Sequence, residues 1–197
     1  MAKTSVAILA KAPVPGTAKT RLIPAIGAHA AAVLQERLTA RAAATAQAAD
    51  IGPVTLWCAP DATHRSFREL GVTLRPQPEG DLGARMLAAF EDGPTLVIGA
   101  DCPALTPAHL CDAARALETH DIVLIPAEDG GYVLIGASAR HPALFEAMIW
   151  SVPTVLANTR ARIAALGLKA AELPPLWDVD TEDDLARMER VFPELTL

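Results

Sequence analysis

Five short stretches carry side chains whose types and spacing could do chemistry. The first, KAPVPGTAKTRL at residues 11–22, puts Lys11, Lys19 and Arg21 on a loop that also holds Pro13, Pro15 and Gly16. Lys19 and Arg21 lie two apart near a helix start, where backbone N–H groups and side-chain cations converge on an anion. Lysine supplies a point charge and arginine a bidentate fork, a pairing that suits a di- or triphosphate. A solvated basic turn accounts for the same residues. With one glycine, Gly16, the loop has neither the Walker A spacing nor a G-x-G-x-x-G.

In VIGADCPAL, Asp101 directly follows an apolar run and Pro103 ends further ladder pairing. A carboxylate there suits Mg²⁺ or Mn²⁺, since magnesium is held by one or two carboxylates plus substrate phosphates. An aspartate capping the next loop is the plainer alternative. Cys102 has no neighbouring His or Lys to lower its pKa and reads as a small buried thiol. PAEDGGYVLIG combines Glu128 and Asp129 with Gly130, Gly131 and Tyr132. The acids could accept bonds from sugar hydroxyls, act as a base or join a metal, and the glycines allow close backbone approach. Asp-Gly between apolar runs is also a strong hairpin signal, and both readings can hold. WDVDTEDDL offers Asp178 and Asp180 before a helix. No apolar strand precedes this D-x-D as an aspartyl-phosphatase motif requires, so a second metal ligand or plain helix capping fits better. Last, QPEGDLGARM sets Gln77, Gly80 and Gly83 in a loop before a helix, where an amide and backbone groups could read a nucleobase edge. A surface turn fits equally well.

The elements that must position these residues alternate. Apolar runs rich in Val, Ile and Leu predict strands at Ser5–Ala10, Val54–Cys58, Val72–Arg75, Thr95–Gly99, Asp121–Pro126 and Tyr132–Gly136. Residues 28–49 are mostly good helix formers. TPAHLCDAARALE opens with Thr106 as N-cap and Pro107 at the first helical position. TEDDLARMERVF opens with Thr181 and puts acids in its first turn, where the helix dipole favours them. Strands separated by helices build β-α-β units and a three-layer α/β fold. In such a sheet ligands bind outside the carboxyl ends of the strands. The loops after the first, fourth and fifth strands are then expected to face one crevice.

At 197 residues the chain fits one domain, 1–197, with a sizeable core. A net charge of −6 argues against non-specific binding to nucleic acid or anionic membrane, but not against a local cation cluster for a small anion. No apolar run reaches the ~18 residues of a membrane span. Three cysteines without a C-x-x-C pair suggest neither a disulfide framework nor a zinc site, so the expected compartment is the cytoplasm. Oligomeric state leaves no mark on the sequence.

In this order, LAKAPVPGTAKTRLIPAIG, QPEGDLGARM, GADCPALT, PAEDGGYVLIG and WDVDTEDDL resemble the DUF2064 family of glycosyltransferase-A-like proteins, over roughly residues 5–190. Some members of that family are labelled glycosyltransferases of arsenosugar biosynthesis or transferases associated with radical-SAM proteins. More distantly, AKTRL and the Asp101 segment are similar to 2-phospholactate guanylyltransferases. DVDTEDDL is similar to the D-T-P-E-D-L ending of several nucleotidyltransferases, with Glu182 where proline is usual. The resemblance implies a nucleotide-diphospho-sugar transferase fold with a mixed, mainly parallel, Rossmann-like sheet. It assigns Lys11, Lys19 and Arg21 to phosphates, and Gln77, Gly80 and Gly83 to base and ribose. Asp101 would be the main metal ligand and Asp180, or Asp178, the second. Glu128, Asp129, Gly130, Gly131 and Tyr132 would line the acceptor or sugar side. Two departures stand out. The Gly-rich loop of the molybdenum-cofactor guanylyltransferases is absent, and the D-x-D of many glycosyltransferases is reduced to Asp101-Cys102-Pro103.

The reading that follows is a metal-dependent transferase with a nucleotide donor and a small-molecule acceptor. Glycosyl transfer would have Asp129 as base, with Asp101, Lys19 and Arg21 also in the catalytic set. Nucleotidyl transfer to a phosphorylated small molecule is the alternative, and a nucleotide-binding module without turnover is a second class. A Ser-His-Asp hydrolase has no support, for there is no G-x-S-x-G and no recognisable histidine motif.

Overall fold

The computed structural model describes residues 3–91 and 93–197. Its strands are β1 Ser5–Lys11, β2 Val54–Ala59, β3 Thr73–Pro76, β4 Thr95–Gly99, β5 Ile122–Pro126, β6 Tyr132–Ala137 and β7 Ala170–Glu172. The helices are α1 Ile23–Ala49, α2 Arg65–Arg68, α3 Leu82–Ala89, α4 Pro107–Ala116, α5 Val155–Ala165 and α6 Glu182–Val191. The strands form one sheet in the order β3-β2-β1-β4-β6-β5-β7. β1 pairs parallel with β2 and β4, β2 with β3, and β5 with β7, whereas β6 runs antiparallel between β4 and β5. The sheet is therefore mixed and mainly parallel, the α/β architecture expected from the sequence.

Alternation along β1 divides the core. Val6, Ile8 and Ala10 face a cluster with Ala42 and Ala46 of α1, Phe67 of α2 and Leu110 of α4. Ala7 faces the opposite cluster, with Met86 and Ala89 of α3, Phe145, and Leu156 and Ile163 of α5. Helices thus cover both faces, which is why the central strands read as unbroken apolar runs. A third cluster joins Leu22, Leu34, Leu38, Trp177, Val179, Leu185 and Met188, clamping α6 against α1.

The six expected strands all form, within one or two residues of the expected ends. β7 is an addition: its AAE sequence has none of the β-branched residues that mark a strand, and it exists by pairing with β5. α1 breaks regular geometry at Gly27, where φ is 80°, so its regular part begins at 28, where the sequence places it. The two capping expectations hold. Thr106 accepts from His109 N–H, and Thr181 accepts from Asp184 N–H, each within a reciprocal capping box. Among the described residues no helix is long and apolar enough to cross a membrane.

Candidate functional site

β1 and β4 deliver their carboxyl ends to one edge of the sheet, and antiparallel β6 delivers its start to the same edge. A cleft of about 870 Å³ opens there, lined by Lys11, Lys19, Arg21, Gln77, Asp101, Asp129, Gly131, Tyr132, Asp178 and Asp180 among others. The loops expected to converge do converge.

The cleft is built around Lys19. Its backbone is left-handed, with φ 44° and ψ 46°, at the entry to a short 3-10 helix over Thr20–Leu22. A non-glycine residue tolerates that region only where its surroundings impose it. Here the side chain imposes it. Lys19 Nζ donates to Asp101 Oδ2 at 3.3 Å, to Asp180 Oδ1 at 3.2 Å and to the Val179 carbonyl at 2.7 Å, with the side chain only 6% exposed. Burial by itself would lower the pKa of this amine, but Asp101 and Asp180 outweigh it and hold it above its ordinary value. Lys19 is therefore a charged ammonium. Arg21 Nη1 donates to the other oxygen of Asp180 at 2.9 Å.

Asp101 and Asp180 lie 79 residues apart, and a backbone bond brings them together: Val179 N–H donates to the Asp101 carbonyl at 3.0 Å. Gly99 leaves the Asp101 carboxylate its space, since a Cβ there would lie 2.6 Å from Oδ1. Thr181, not Asp180, caps α6, which leaves the Asp180 carboxylate to the cleft. Asp178 is half-buried in the same wall. Burial first, then the charges of Asp101, Asp129 and Asp180, push its carboxyl up to about 7. Cys102 is buried and its thiol is pushed up to about 12, chiefly by burial, so it is no nucleophile.

A divalent cation fits this donor set. Asp101, Asp129, Asp178 and Asp180 line the cleft together with Lys11, Lys19, Arg21 and Arg85, and the Asp178 carboxyl is raised by burial and then by its neighbouring aspartates. Among the described residues no three acidic, thiol or imidazole side chains converge at ligand spacing. Asp101 and Asp180 are two carboxylates with the Lys19 ammonium between them. Two hard oxygen ligands are what Mg²⁺ or Mn²⁺ takes when phosphates and water complete its shell.

The PAEDGGY stretch is both hairpin and cleft lining. Asp129 Oδ1 accepts from Gly131 N–H at 2.8 Å, which closes the turn and leaves the carboxylate at the cleft. Tyr132 is half-buried beneath it, its phenol raised by desolvation and its O–H donating to Met86 Sδ at 3.9 Å. Two members of the stretch go elsewhere. Glu128 pairs with Arg187 of α6 at 2.8 and 3.2 Å, and Gly130, with φ 92°, lies against the Pro153 carbonyl. Neither lines the cleft.

The QPEGDLGARM stretch divides likewise. Gln77 lines the cleft, but its amide N–H groups are spent on the carbonyls of Ala10 at 3.2 Å and Trp57 at 2.8 Å. Gly80 and Gly83 are not cleft residues. Gly83 is buried where a Cβ would come within 2.7 Å of the Trp150 ring, so it serves packing. The helix instead presents Leu82, Arg85 and Met86 to the cleft, and the loop before α5 presents Trp150 and Ser151. Sequence reasoning missed this second wall. Leu82, Arg85 and Met86 do fall at helical spacing behind the Asp81 N-cap, a signal that was available. The 150s loop offers none.

A family profile described as "Uncharacterized protein conserved in bacteria (DUF2064)" matches residues 39–152. No curated protein matches the sequence. Among solved structures, a candidate nucleotide-diphospho-sugar transferase from Desulfovibrio desulfuricans G20 is 26% identical with TM-score 0.88, covering 97% of this chain and 88% of that one. CMP:2-keto-3-deoxy-manno-octonic acid synthetase complexed with CTP is 12% identical with TM-score 0.63, over 98% of this chain and 99% of that one. Rv0371c from Mycobacterium tuberculosis H37Rv, complexed with manganese, is 15% identical with TM-score 0.54, over 94% and 97% respectively.

Proposed function

This chain belongs to the DUF2064 family, and from that membership we propose that residues 1–197 work as one metal-dependent transferase domain, moving a glycosyl group from a nucleotide-sugar to a small acceptor. One observation carries the reading: Lys19 and Arg21 meet Asp101 and Asp180 at the strand ends of a cleft large enough for a nucleotide. Use of a nucleotide by a transferase also agrees with the fold neighbours. Asp101 and Asp180 would hold Mg²⁺ or Mn²⁺, which when bound would supply positive charge to the phosphates.

This chain's own groups do the rest. Lys11, Lys19 and Arg21 bind the diphosphate, and Lys19 and Arg21 stabilise it as it leaves. The acceptor hydroxyl attacks the anomeric carbon, the bond from that carbon to the phosphate oxygen breaks, and the hydroxyl proton passes to Asp129. Gln77 braces the β1 and β2 ends beneath the base. Nucleotidyl transfer is the second reading, favoured by the fold neighbour bound to CTP. There a substrate phosphate would attack the α-phosphorus and pyrophosphate would leave.

A thermal-shift panel of nucleoside triphosphates and nucleotide-sugars, each with and without Mn²⁺, tests both. A ligand at 100 times its dissociation constant adds roughly 2.7 kcal/mol, a shift of roughly 5–10 °C at this size. A metal-dependent shift with nucleotide-sugars alone supports glycosyl transfer, and one with triphosphates alone supports nucleotidyl transfer. No shift with any member of the panel would sink the phosphate site. Lys19→Ala and Arg21→Ala are each expected to weaken nucleotide binding by about 1–3 kcal/mol, measured by titration calorimetry. Unchanged affinity in both would return the loop to a basic turn.

A further inference from the structure

We infer that Arg85 anchors an anionic group of the acceptor, a carboxylate or a phosphate, on the wall of the cleft opposite Lys19 and Arg21. This rests on the nucleotide-transferase reading above. The cleft has two unlike walls because it straddles the sheet. Leu22 and Val179, which carry the Lys19 side, are buried against α1 and α6. Met86, which carries the Arg85 side, is buried against Phe145 and Leu156 on the other face. The aspartates Asp101, Asp178 and Asp180 belong to the first wall. Leu82, Arg85, Met86, Trp150, Ser151 and Val152 make the second, which holds donors and apolar surface, with Asp129 on the hairpin that packs beside the 150s loop.

Arg85 is the exception among this protein's cations. Of the described lysines and arginines that are not solvent-exposed, Lys19, Arg37, Arg41, Arg162 and Arg187 each donate to a carboxylate or carbonyl. Only the Arg85 side chain of this set has no hydrogen bond or ion pair among the described residues, and its Nε is shielded from solvent without a partner. The Trp150 indole N–H is likewise shielded and unpartnered. A partly desolvated cation without a partner is costly in a protein, and that cost is recovered when a ligand supplies the anion.

The wall is also rigid, as an anchoring surface must be. The Trp150 ring stacks on Phe145 at 6.4 Å and fills the space beside Gly83. Arg162 Nη1 ties the loop that carries Trp150 by donating to the Leu144 carbonyl at 3.2 Å and the Glu146 carbonyl at 2.6 Å. Since Lys11, Lys19 and Arg21 serve the donor phosphates, the guanidinium fork of Arg85 is left for a second anion. Two-oxygen groups match that fork, and the adjoining apolar and indole surface suits a flat or carbon-rich body.

The test uses the full chain with Mg²⁺ and the nucleotide that gives the largest thermal shift, both at saturation. Benzoate and phenyl phosphate serve as anionic probes and benzamide as the neutral one, read by saturation-transfer NMR. Wild type is expected to bind the anions about tenfold more tightly than benzamide, the worth of one charged hydrogen bond. Arg85→Gln should abolish that preference while nucleotide affinity stays within about twofold and the amide spectrum keeps its dispersion. No anion preference in wild type would overturn the proposal. So would a tenfold loss of nucleotide affinity in Arg85→Gln, because Arg85 would then serve the donor. Wild type that binds no nucleotide yet keeps an Arg85-dependent preference would sink the nucleotide reading and retain the anion site.

Discussion

Asp101→Ala is expected to lower metal-dependent turnover by roughly a thousandfold, the scale of several kcal/mol of charge stabilisation lost with a metal ligand. The fold should survive, because Lys19 keeps Asp180 and the Val179 carbonyl as partners and its buried ammonium is not orphaned. A circular-dichroism melt within a few degrees of wild type would establish that. Nucleotide binding without metal should change little, because Lys11, Lys19 and Arg21, the cations proposed for the phosphates, all remain. This variant therefore separates an enzyme from a binding module. Turnover that persists in Asp101→Ala at the wild-type metal optimum would remove Asp101 from the mechanism.

The second large effect falls on stability. Gly130 takes φ 92°, and a Cβ built on it would overlap the Pro153 carbonyl oxygen and crowd its backbone carbon at 2.9 Å. Both partners are main chain and cannot rotate aside. Gly130 also accepts from Leu156 N–H at 2.9 Å, which seats the first turn of α5. Gly130→Ala should thus cost about 2–4 kcal/mol, from left-handed strain together with a forced backbone shift. Urea denaturation with an unchanged m-value would measure it. A loss below about 0.5 kcal/mol would show that the hairpin turn and the 150s loop yield independently.

Much of this molecule was legible because the central strands are covered on both faces. Val, Ile and Leu runs such as Thr95–Gly99 and Ile122–Pro126 then announce themselves without alternation. Lys19, Asp101 and Asp180 were legible as residue types at strand and helix ends, where the fold brings chemistry together. The reversed direction of β6 was not written in its own composition, because YVLIGA suits either sense and only pairing decides. Gly80 and Gly83 illustrate the converse. A glycine signals a missing side chain but not whether a ligand or, as at Gly83, a tryptophan fills the space. Arg85 and Trp150 stayed hidden because an unpartnered donor can be recognised only once every partner has been placed.

Strand β1 is made first yet sits mid-sheet, with Val6 opposite Val54 on one side and Ser5 opposite Thr95 on the other. Its second edge stays open until some ninety residues more have been synthesised. Lys19 must wait longer, because its partner Asp180 lies 161 positions further along the chain. Closures over such separations cost chain entropy before any contact rewards them, so folding is expected on the slow side, in milliseconds to seconds. Through that interval a growing chain carries Val6, Ile8 and Leu9 on an unsatisfied strand edge, a natural holding point for a chaperone. The charged centre of the cleft is among the last features to assemble, and on the proposed function nucleotide binding would report completed folding.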